Sequence, residues 1–169
     1  MKGRNLLSPK SKNSRPTDNK VKEAIFDILF EIKKDSVCLD LFACTGQIGI
    51  EFLSRGARKA YFCEINADNY NRLNKNLKYF ENDSYVTYKN DFRKALDLIE
   101  DKFDYIFLDP PYSEDFISQS VSIILKNNQI KDDGLIITES DRDIKLCNEL
   151  LLIKQKKYGR KILKFYKKK

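Results

Sequence analysis

The stretch SVCLDLFACTGQIGIEFLSRGARKAYFCEI, residues 36–65, contains a complete strand-helix-strand unit. Its first apolar run, 36–42, and its last, 60–65, have the length and composition typical of buried strands. The spacing of apolar residues between them predicts a helix near 46–55 that ends at Gly56. Two strands joined through a helix run parallel to each other, and the crossover between them is right-handed.

The same alternation continues along the chain and predicts an α/β fold with a mostly parallel sheet and helices on both faces. An apolar stripe from Val21 to Ile32 predicts an amphipathic helix before this unit, which Asp18 can cap. The segment 150–166 offers two extended runs around Tyr158-Gly159, with no room for a helix between them, so they are expected to form an antiparallel hairpin. The remaining predicted elements are helices at 66–80, 91–100 and 114–126, and strands at 84–89, 103–109 and 134–139.

The composition of the 169 residues limits the possible functions. The length suits a single domain, which we place at 18–169 after a polar, basic arm at 1–17. No apolar run reaches the roughly 18 residues of a membrane span, and the lysine-rich start does not resemble a signal peptide, so we expect a soluble, cytoplasmic protein. Histidine is absent, which excludes Ser-His-Asp and Cys-His catalysis and any metal site containing histidine. The four cysteines form no C-x-x-C pair and are expected to be reduced thiols.

The net charge of +7 is concentrated at the two ends of the chain. Residues 1–22 hold seven basic side chains and one acidic one, residues 154–169 hold nine basic side chains and no acid, and the part between them is acidic. Basic flanks around an acidic body are typical of a protein that contacts a polyanion such as a nucleic acid. A lysine-rich coding bias with a solvated tail is the alternative explanation.

In a parallel α/β sheet, ligands bind beyond the carboxyl ends of the strands, and polar residues follow three of the predicted strands. The first strand leads into Asp40-Leu41-Phe42-Ala43-Cys44-Thr45-Gly46, and a tight structural turn is an equally good interpretation of this loop. Glu64 ends the second strand, where a carboxylate can accept both ribose hydroxyls of a nucleoside. Asp91 follows the third strand and can accept from an adenine amine, or act only as the N-cap of the next helix.

A fourth strand exit carries Asp109-Pro110-Pro111-Tyr112, directly after the apolar run 103–108. The two prolines fix φ and remove two N–H groups, so that the loop presents acceptor oxygens in a set direction. An exocyclic amine of a nucleobase is a poor nucleophile because its lone pair is conjugated with the ring. Hydrogen bonds from the amine to Asp109 and to the Pro110 carbonyl favour a pyramidal nitrogen, and Tyr112 can stack on a base that is unpaired or flipped out.

The chain resembles the bacterial 16S ribosomal RNA guanine-N2 methyltransferases, which are class I enzymes dependent on S-adenosylmethionine. The D-P-P-Y motif is shared by methyltransferases of exocyclic amines. The more specific similarity lies in Lys2-Gly3-Arg4, in Arg15-Pro16-Thr17 and in Val21-Lys22-Glu23-Ala24-Ile25-Phe26. Two features depart from the family pattern: Cys44 replaces a glycine, where a Cβ crowds the cofactor or strains a positive φ, and a short first strand is missing.

The resemblance implies a Rossmann-like sheet of the seven-stranded type with a C-terminal hairpin, and methyl transfer from S-adenosylmethionine to guanine N2 in 16S rRNA without a metal. It implies a small ribosomal subunit or an assembly intermediate as partner, no membrane, and a monomer. The expected catalytic residues are Asp109, Pro110 and Tyr112. The expected cofactor residues are Asp40, Phe42, Cys44, Gly46, Glu64, Ile65, Asp91 and Phe92. The expected RNA-binding residues are Arg4, Arg15, Thr17, Lys22, Pro111, Lys156, Lys157 and Arg160. A DNA adenine-N6 methyltransferase and a noncatalytic ribosome-assembly factor with a decayed cofactor loop are the alternatives.

Overall fold

The computed structural model describes residues 6–8, 19–111 and 115–169, and within these ranges the predicted alternation of strands and helices is confirmed. The strands are β1 (Val37–Asp40), β2 (Lys59–Cys63), β3 (Tyr85–Tyr88), β4 (Phe103–Leu108), β5 (Ile130–Ser140), β6 (Leu150–Tyr158) and β7 (Lys161–Lys168). The helices are α1 (Asn19–Leu29), α2 (Gln47–Ser54), α3 (Ala67–Leu77), α4 (Phe92–Leu98) and α5 (Phe116–Lys126).

The seven strands form one sheet in the order β3-β2-β1-β4-β5-β7-β6. The pairs among β1 to β5 are parallel, whereas β7 lies antiparallel to both β5 and β6, as the predicted hairpin requires. The order reverses beside β1, which is the point where doubly wound sheets bind their ligands. The expected mostly parallel sheet with a C-terminal antiparallel hairpin is therefore confirmed.

Side chains of successive strand residues alternate between two hydrophobic layers. One layer contains Cys38, Phe62, Phe107 and Leu163 and packs against α1, α2 and α3. The other contains Leu39, Cys63 and Ile106 and packs against α4 and α5. This alternation determines which strand-exit side chains share a face of the sheet.

Three element boundaries differ from the predictions by three residues or more, and one of them is the end of α3, at Leu77 rather than at 80. The first helix ends at Leu29, because Phe30 takes a φ of 59°, and Ile32 is buried from the loop that follows the helix. Strand β5 begins at Ile130 rather than at 134, and its pairing with β4 shifts register between Phe103 and Tyr105. The exposed pair Asp132-Asp133 resembles a turn in the sequence, although it lies within the strand. The capping residue Asp18 lies outside the described residues.

Candidate active site at the carboxyl edge of the sheet

Four acidic side chains share one face of the sheet at its carboxyl edge. Glu64 and Asp40 follow Phe62 and Cys38 by two residues, so they point to the layer packed on α1, α2 and α3. The same spacing places Asp109 after Phe107 on this face. Glu139 follows Ile137 in the same way. The strand order therefore puts the four in the sequence Glu64, Asp40, Asp109, Glu139 across the edge.

Asp40 is the most deeply buried of the strand-exit acids that were predicted to bind the cofactor, with 3% of its surface exposed. One of its carboxylate oxygens accepts a hydrogen bond from the Gly49 N–H, 3.1 Å away in the first turn of α2. Burial raises the pKa of Asp40 to about 7, despite that hydrogen bond, and the charge of Glu64 adds to the rise. An added cation would lower this pKa, so the position suits a positively charged ligand.

Glu64 lies at the exit of β2 and is half-buried. Its carboxylate accepts the Asn66 N–H at 2.6 Å and is also hydrogen-bonded by the backbone of Cys44 and Ile65. Burial raises its pKa, and these backbone hydrogen bonds oppose the rise. The Ala43 N–H donates to the Cys63 carbonyl at 2.9 Å, so hydrogen bonds connect the loop after β1 to the exit of β2.

The loop after β1 has two residues with positive φ. Gly46 takes a φ of 83°, which favours glycine, and a Cβ there would lie 2.4 Å from Leu73 Cδ1, so a side chain at this position would force Leu73 to move. Cys44 takes a φ of 51°, which confirms that a residue other than glycine occupies a left-handed position. Burial raises the pKa of its thiol to about 12, so the side chain is a poor nucleophile at neutral pH.

Asp91 is the N-cap of α4. Its side chain accepts the Arg93 N–H at 2.9 Å and also pairs with the Arg93 guanidinium, whose Nη1 lies 3.0 Å from Oδ2. The capping interpretation is therefore confirmed, whereas a role in binding adenine stays a prediction. Next to it, the rings of Phe42, Phe92 and Phe116 form a cluster with centroids 5.1 to 6.3 Å apart.

The loop after β4 presents Asp109 half-buried, Pro110 buried and Pro111 exposed. Burial raises the pKa of Asp109 well above its usual range, and the charges of Glu139 and Asp40 add to this effect. Lys161 acts in the opposite direction. Tyr112 lies outside the described residues.

Besides the exposed Pro111, the predicted RNA-binding residues fall into three groups. Lys156, Lys157 and Arg160 are exposed around the β6–β7 turn. Because Ser140 pairs with Ile162, this turn lies at the same edge of the sheet as Asp109. Lys22 is half-buried on α1, and its Nζ lies 3.9 Å from Glu51 Oε2. Arg4, Arg15 and Thr17 lie outside the described residues. Ile65, which was predicted to bind the cofactor rather than RNA, is exposed directly after Glu64.

Three residues that the sequence did not single out complete the site. Glu139 is fully buried and forms an ion pair with Lys161 at the start of β7. Asn76 on α3 donates from Nδ2 to the carbonyls of Thr45 at 3.0 Å and Leu7 at 3.2 Å, and its Oδ1 accepts the Leu7 N–H at 2.9 Å. Asn76 therefore joins the N-terminal segment to the loop after β1. The strand-exit rule could have identified Glu139 from the sequence. The hydrogen bond between Leu7 and Asn76 joins residues 69 positions apart, so no local sequence pattern predicts it.

Comparison with known proteins gives consistent results. A family profile described as conserved hypothetical protein 95 matches residues 1–167. Ribosomal RNA small subunit methyltransferase D of Haemophilus influenzae is 34% identical over 94% of this chain and 85% of its own length. The solved structure of the Escherichia coli protein yhhF has a TM-score of 0.87 at 27% identity and covers 99% of this chain and 93% of its own.

The fold is also shared with more distant proteins. An RNA methyltransferase from Salinibacter ruber, solved in complex with S-adenosyl-L-homocysteine, has a TM-score of 0.70 at 14% identity, covering 90% of this chain and 93% of its own. At that identity the likeness concerns the fold alone. Within the part of the chain that the structure describes, no helix is long and apolar enough to cross a membrane.

Proposed function

Because the chain belongs to the family described as conserved hypothetical protein 95, with relatives named ribosomal RNA small subunit methyltransferase D, we propose that it methylates 16S rRNA with S-adenosylmethionine. The target is the exocyclic N2 amine of a guanine. The observation that carries this proposal is the position of Asp109-Pro110 in the row of carboxyl groups formed by Glu64, Asp40 and Asp109, at the edge of the sheet where such folds bind ligands.

The carboxyl groups at this edge fit S-adenosylmethionine, because that cofactor carries a positively charged sulfonium and an ammonium group. Asp40, whose pKa is raised to about 7 by burial, gains a favourable interaction from a cation beside it. Glu64 has an acceptor for ribose hydroxyls, and the half-buried ring of Phe42, which packs on Phe92, offers an apolar surface for a purine. Gly46 has no side chain and lets the loop backbone lie close to the cofactor, whereas the Cβ of Cys44 reduces the space between the loop and the cofactor.

When bound, S-adenosylmethionine supplies a methyl group whose bond to sulfur breaks as the nucleophile bonds to carbon, with the electron pair staying on sulfur. The role of Asp109 is to accept a hydrogen bond from the N2 amine, and the Pro110 carbonyl accepts from the same amine. Two acceptors on one amine favour a pyramidal nitrogen and direct its lone pair toward the donor. Positioning supplies most of the acceleration. The methylated nitrogen is strongly acidic and releases its proton to Asp109 or to water after the transfer, so Asp109 does not have to act as a strong base. Tyr112 stacks on the base.

The basic ends of the chain are proposed to hold the RNA. The turn residues Lys156, Lys157 and Arg160 lie at the edge of the sheet that carries Asp109. The arm 1–17, with Arg4, Arg15 and Thr17, precedes the catalytic domain 18–169. Asn76 holds Leu7 of this arm against the loop after β1, on the cofactor side of the site. The substrate is the small subunit or an assembly intermediate, and the protein acts as a cytoplasmic monomer.

A transfer assay tests the proposal. Purified protein is incubated with tritiated S-adenosylmethionine and either undermodified 30S particles or DNA, and the labelled nucleoside is identified. We expect label in N2-methylguanosine of 16S rRNA. The Asp109→Ala variant is expected to lose transfer and to keep most of its affinity for the cofactor, measured by calorimetry. Label that enters only DNA would refute the choice of substrate, and equal loss of transfer and binding would make Asp109 a structural residue.

The left-handed conformation of Cys44 is the observation that favours a second function, a noncatalytic RNA-binding factor with a decayed cofactor loop. Calorimetry separates the two possibilities, because no binding at millimolar S-adenosylmethionine would exclude the enzyme.

A further inference from the structure

Glu139 and Lys161 form an ion pair beside Asp109. Glu139 is fully buried on β5, and the Lys161 side chain, at the start of β7, is 22% exposed. Both residues point to the face that carries Asp109, because Ile137 and Leu163, two residues away in each strand, lie in the same hydrophobic layer as Phe107. A buried carboxylate requires such a partner, since its charge is costly in an apolar interior.

The register of the sheet makes Glu139 the neighbour of Asp109. Leu108 of β4 pairs with Thr138 of β5, so the residues that follow them stand side by side on strands about 4.8 Å apart. Lys161 is one strand further away, a distance that a flexible four-carbon side chain can span. The charge of Lys161 can therefore be directed to either of two adjacent carboxylates, Glu139 or Asp109.

Among the residues that the structure describes, the charged and titratable groups that face Asp109 are Glu139 from β5, Lys161 from β7, Asp40 from β1 and the thiol of Cys44 from the loop after β1. Burial, together with the charge of Glu139, raises the pKa of Asp109, and the charge of Lys161 lowers it. In the structure the Lys161 ammonium is paired with Glu139. Asp109 therefore keeps its acceptor oxygens for a ligand.

We propose that Glu139 is a positioning residue that holds Lys161 away from Asp109, so that Asp109 remains free to accept the exocyclic amine of the base. The inference rests on the proposed function only for the identity of that amine. Without the negative charge of Glu139, the ammonium of Lys161 is expected to turn to Asp109, on which its charge already acts, and to occupy the oxygens that the amine needs.

Glu139→Gln keeps the shape of the side chain and removes its charge. The first readout needs no activity: the carboxyl carbon of Asp109 is titrated by NMR in the cofactor-free protein. We expect its midpoint to fall by about one pH unit or more, because an opposite charge at this range has that effect. In a single-turnover assay with saturating cofactor, the methyl-transfer rate at pH 7.5 is expected to fall about tenfold or more, for the loss of one preorganised acceptor.

The second variant adds Lys161→Met to Glu139→Gln. It has no net charge at the pair, as in the wild-type protein, so the Asp109 midpoint is expected to regain at least half of the shift seen in Glu139→Gln, and at least half of the lost rate is expected to return. If Glu139 has only a structural role, the double variant is expected to lose more of the transfer rate than Glu139→Gln does. An unchanged midpoint in Glu139→Gln, or no recovery in the double variant, would overturn the inference. If Glu139→Gln does not fold, Lys161→Met is titrated instead: the Asp109 midpoint is expected to rise, because the lysine charge that lowers it is lost, and an unchanged midpoint would overturn the inference. A wild-type protein that methylates nothing refutes the proposed function and leaves the titration test intact.

Discussion

Replacing Asp40 with asparagine is expected to stabilise the protein above neutral pH and to weaken cofactor binding. The carboxyl group is 3% exposed, and burial raises its pKa from 3.8 to about 7. In the unfolded chain the same group ionises near pH 4. Ionised Asp40 therefore costs the folded protein free energy that an amide of the same shape does not cost. The hydrogen bond from the Gly49 N–H, at 3.1 Å, can be kept by the asparagine oxygen.

The pH dependence of this effect follows from proton linkage. Below about pH 4 both states are protonated at Asp40, and the group adds no penalty. Between about pH 4 and pH 7 the unfolded chain loses its proton while the folded protein keeps it, so stability falls as the pH rises. Above pH 7 the penalty is complete. A shift of about three pKa units corresponds to about 4 kcal/mol, and water that enters the open site reduces this, so we expect about 2 to 4 kcal/mol.

Urea unfolding of the cofactor-free protein at a series of pH values from 5 to 8 measures the effect. The difference in unfolding free energy between Asp40→Asn and wild type is expected to grow with pH and to level off above pH 7. Glu64 and Asp109 titrate in both proteins, so they largely cancel in this difference. Calorimetry on the same variant is expected to show weaker binding of S-adenosylmethionine.

Asp104→Asn is a matched control of opposite sign. Asp104 is 4% exposed at the other end of β4. Burial acts to raise its pKa, but hydrogen bonds from Lys131 at 2.7 Å and the Val37 N–H at 2.8 Å outweigh burial and lower the pKa. This group stabilises the fold above about pH 4, and that contribution is lost as the pH falls, so the variant is expected to be destabilised at neutral pH. A difference between Asp40→Asn and wild type that does not change with pH would refute the reasoning.

Three further predictions concern the cofactor loop and the basic hairpin. Cys44→Gly is expected to relieve the strain of the left-handed backbone and to raise the unfolding free energy in urea by up to about 1 kcal/mol. Cys44→Ala keeps the Cβ and is not expected to raise it. Equal unfolding free energies for the two variants would show that the strain lies elsewhere. Asn76→Leu leaves buried backbone groups without partners, so it is expected to lower the unfolding free energy by about 2 kcal/mol. It is also expected to weaken cofactor binding, measured by calorimetry. An unchanged affinity would mean that the loop after β1 does not need Asn76 to bind the cofactor. Replacing Lys156, Lys157 and Arg160, at the site edge, with glutamine is expected to flatten the salt dependence of RNA binding by about 2 in log–log slope. Replacing Lys167, Lys168 and Lys169, at the opposite edge, with glutamine is expected to leave the slope nearly unchanged, since only the first set lies near Asp109. Equal slopes for the two triple variants would make the position of the charge irrelevant.

The class of the fold and the acid row were accessible from the sequence because both depend on local periodicity. Strand parity and the strand-exit rule placed Asp40, Glu64 and Asp109 at one edge, and the structure brings them to one face. The same rule applied to GLIITE would have added Glu139. The end of α1 at Leu29 was not predicted, because the apolar stripe continues to Ile32 although the backbone leaves the helix.

The contacts that organise the site depend on tertiary structure and have no local signal. The pairing of Lys161 with Glu139 requires that β7 insert between β5 and β6, which the sequence pattern does not specify. The bonds of Asn76 to Leu7 and Thr45 join segments far apart in the chain. Such residues modify the electrostatics and rigidity of the site, so they become visible only when the strands and loops are placed together.

The most direct measurement is the methylation state of small-subunit RNA in cells that lack this protein. The RNA is isolated from the deletion strain and from strains complemented with wild type or Asp109→Ala, digested to nucleosides and analysed by mass spectrometry. Loss of one N2-methylguanosine from 16S rRNA, restored by wild type and not by Asp109→Ala, is the predicted result. An unchanged N2-methylguanosine content in the deletion strain, or full restoration by Asp109→Ala, would contradict the proposed activity.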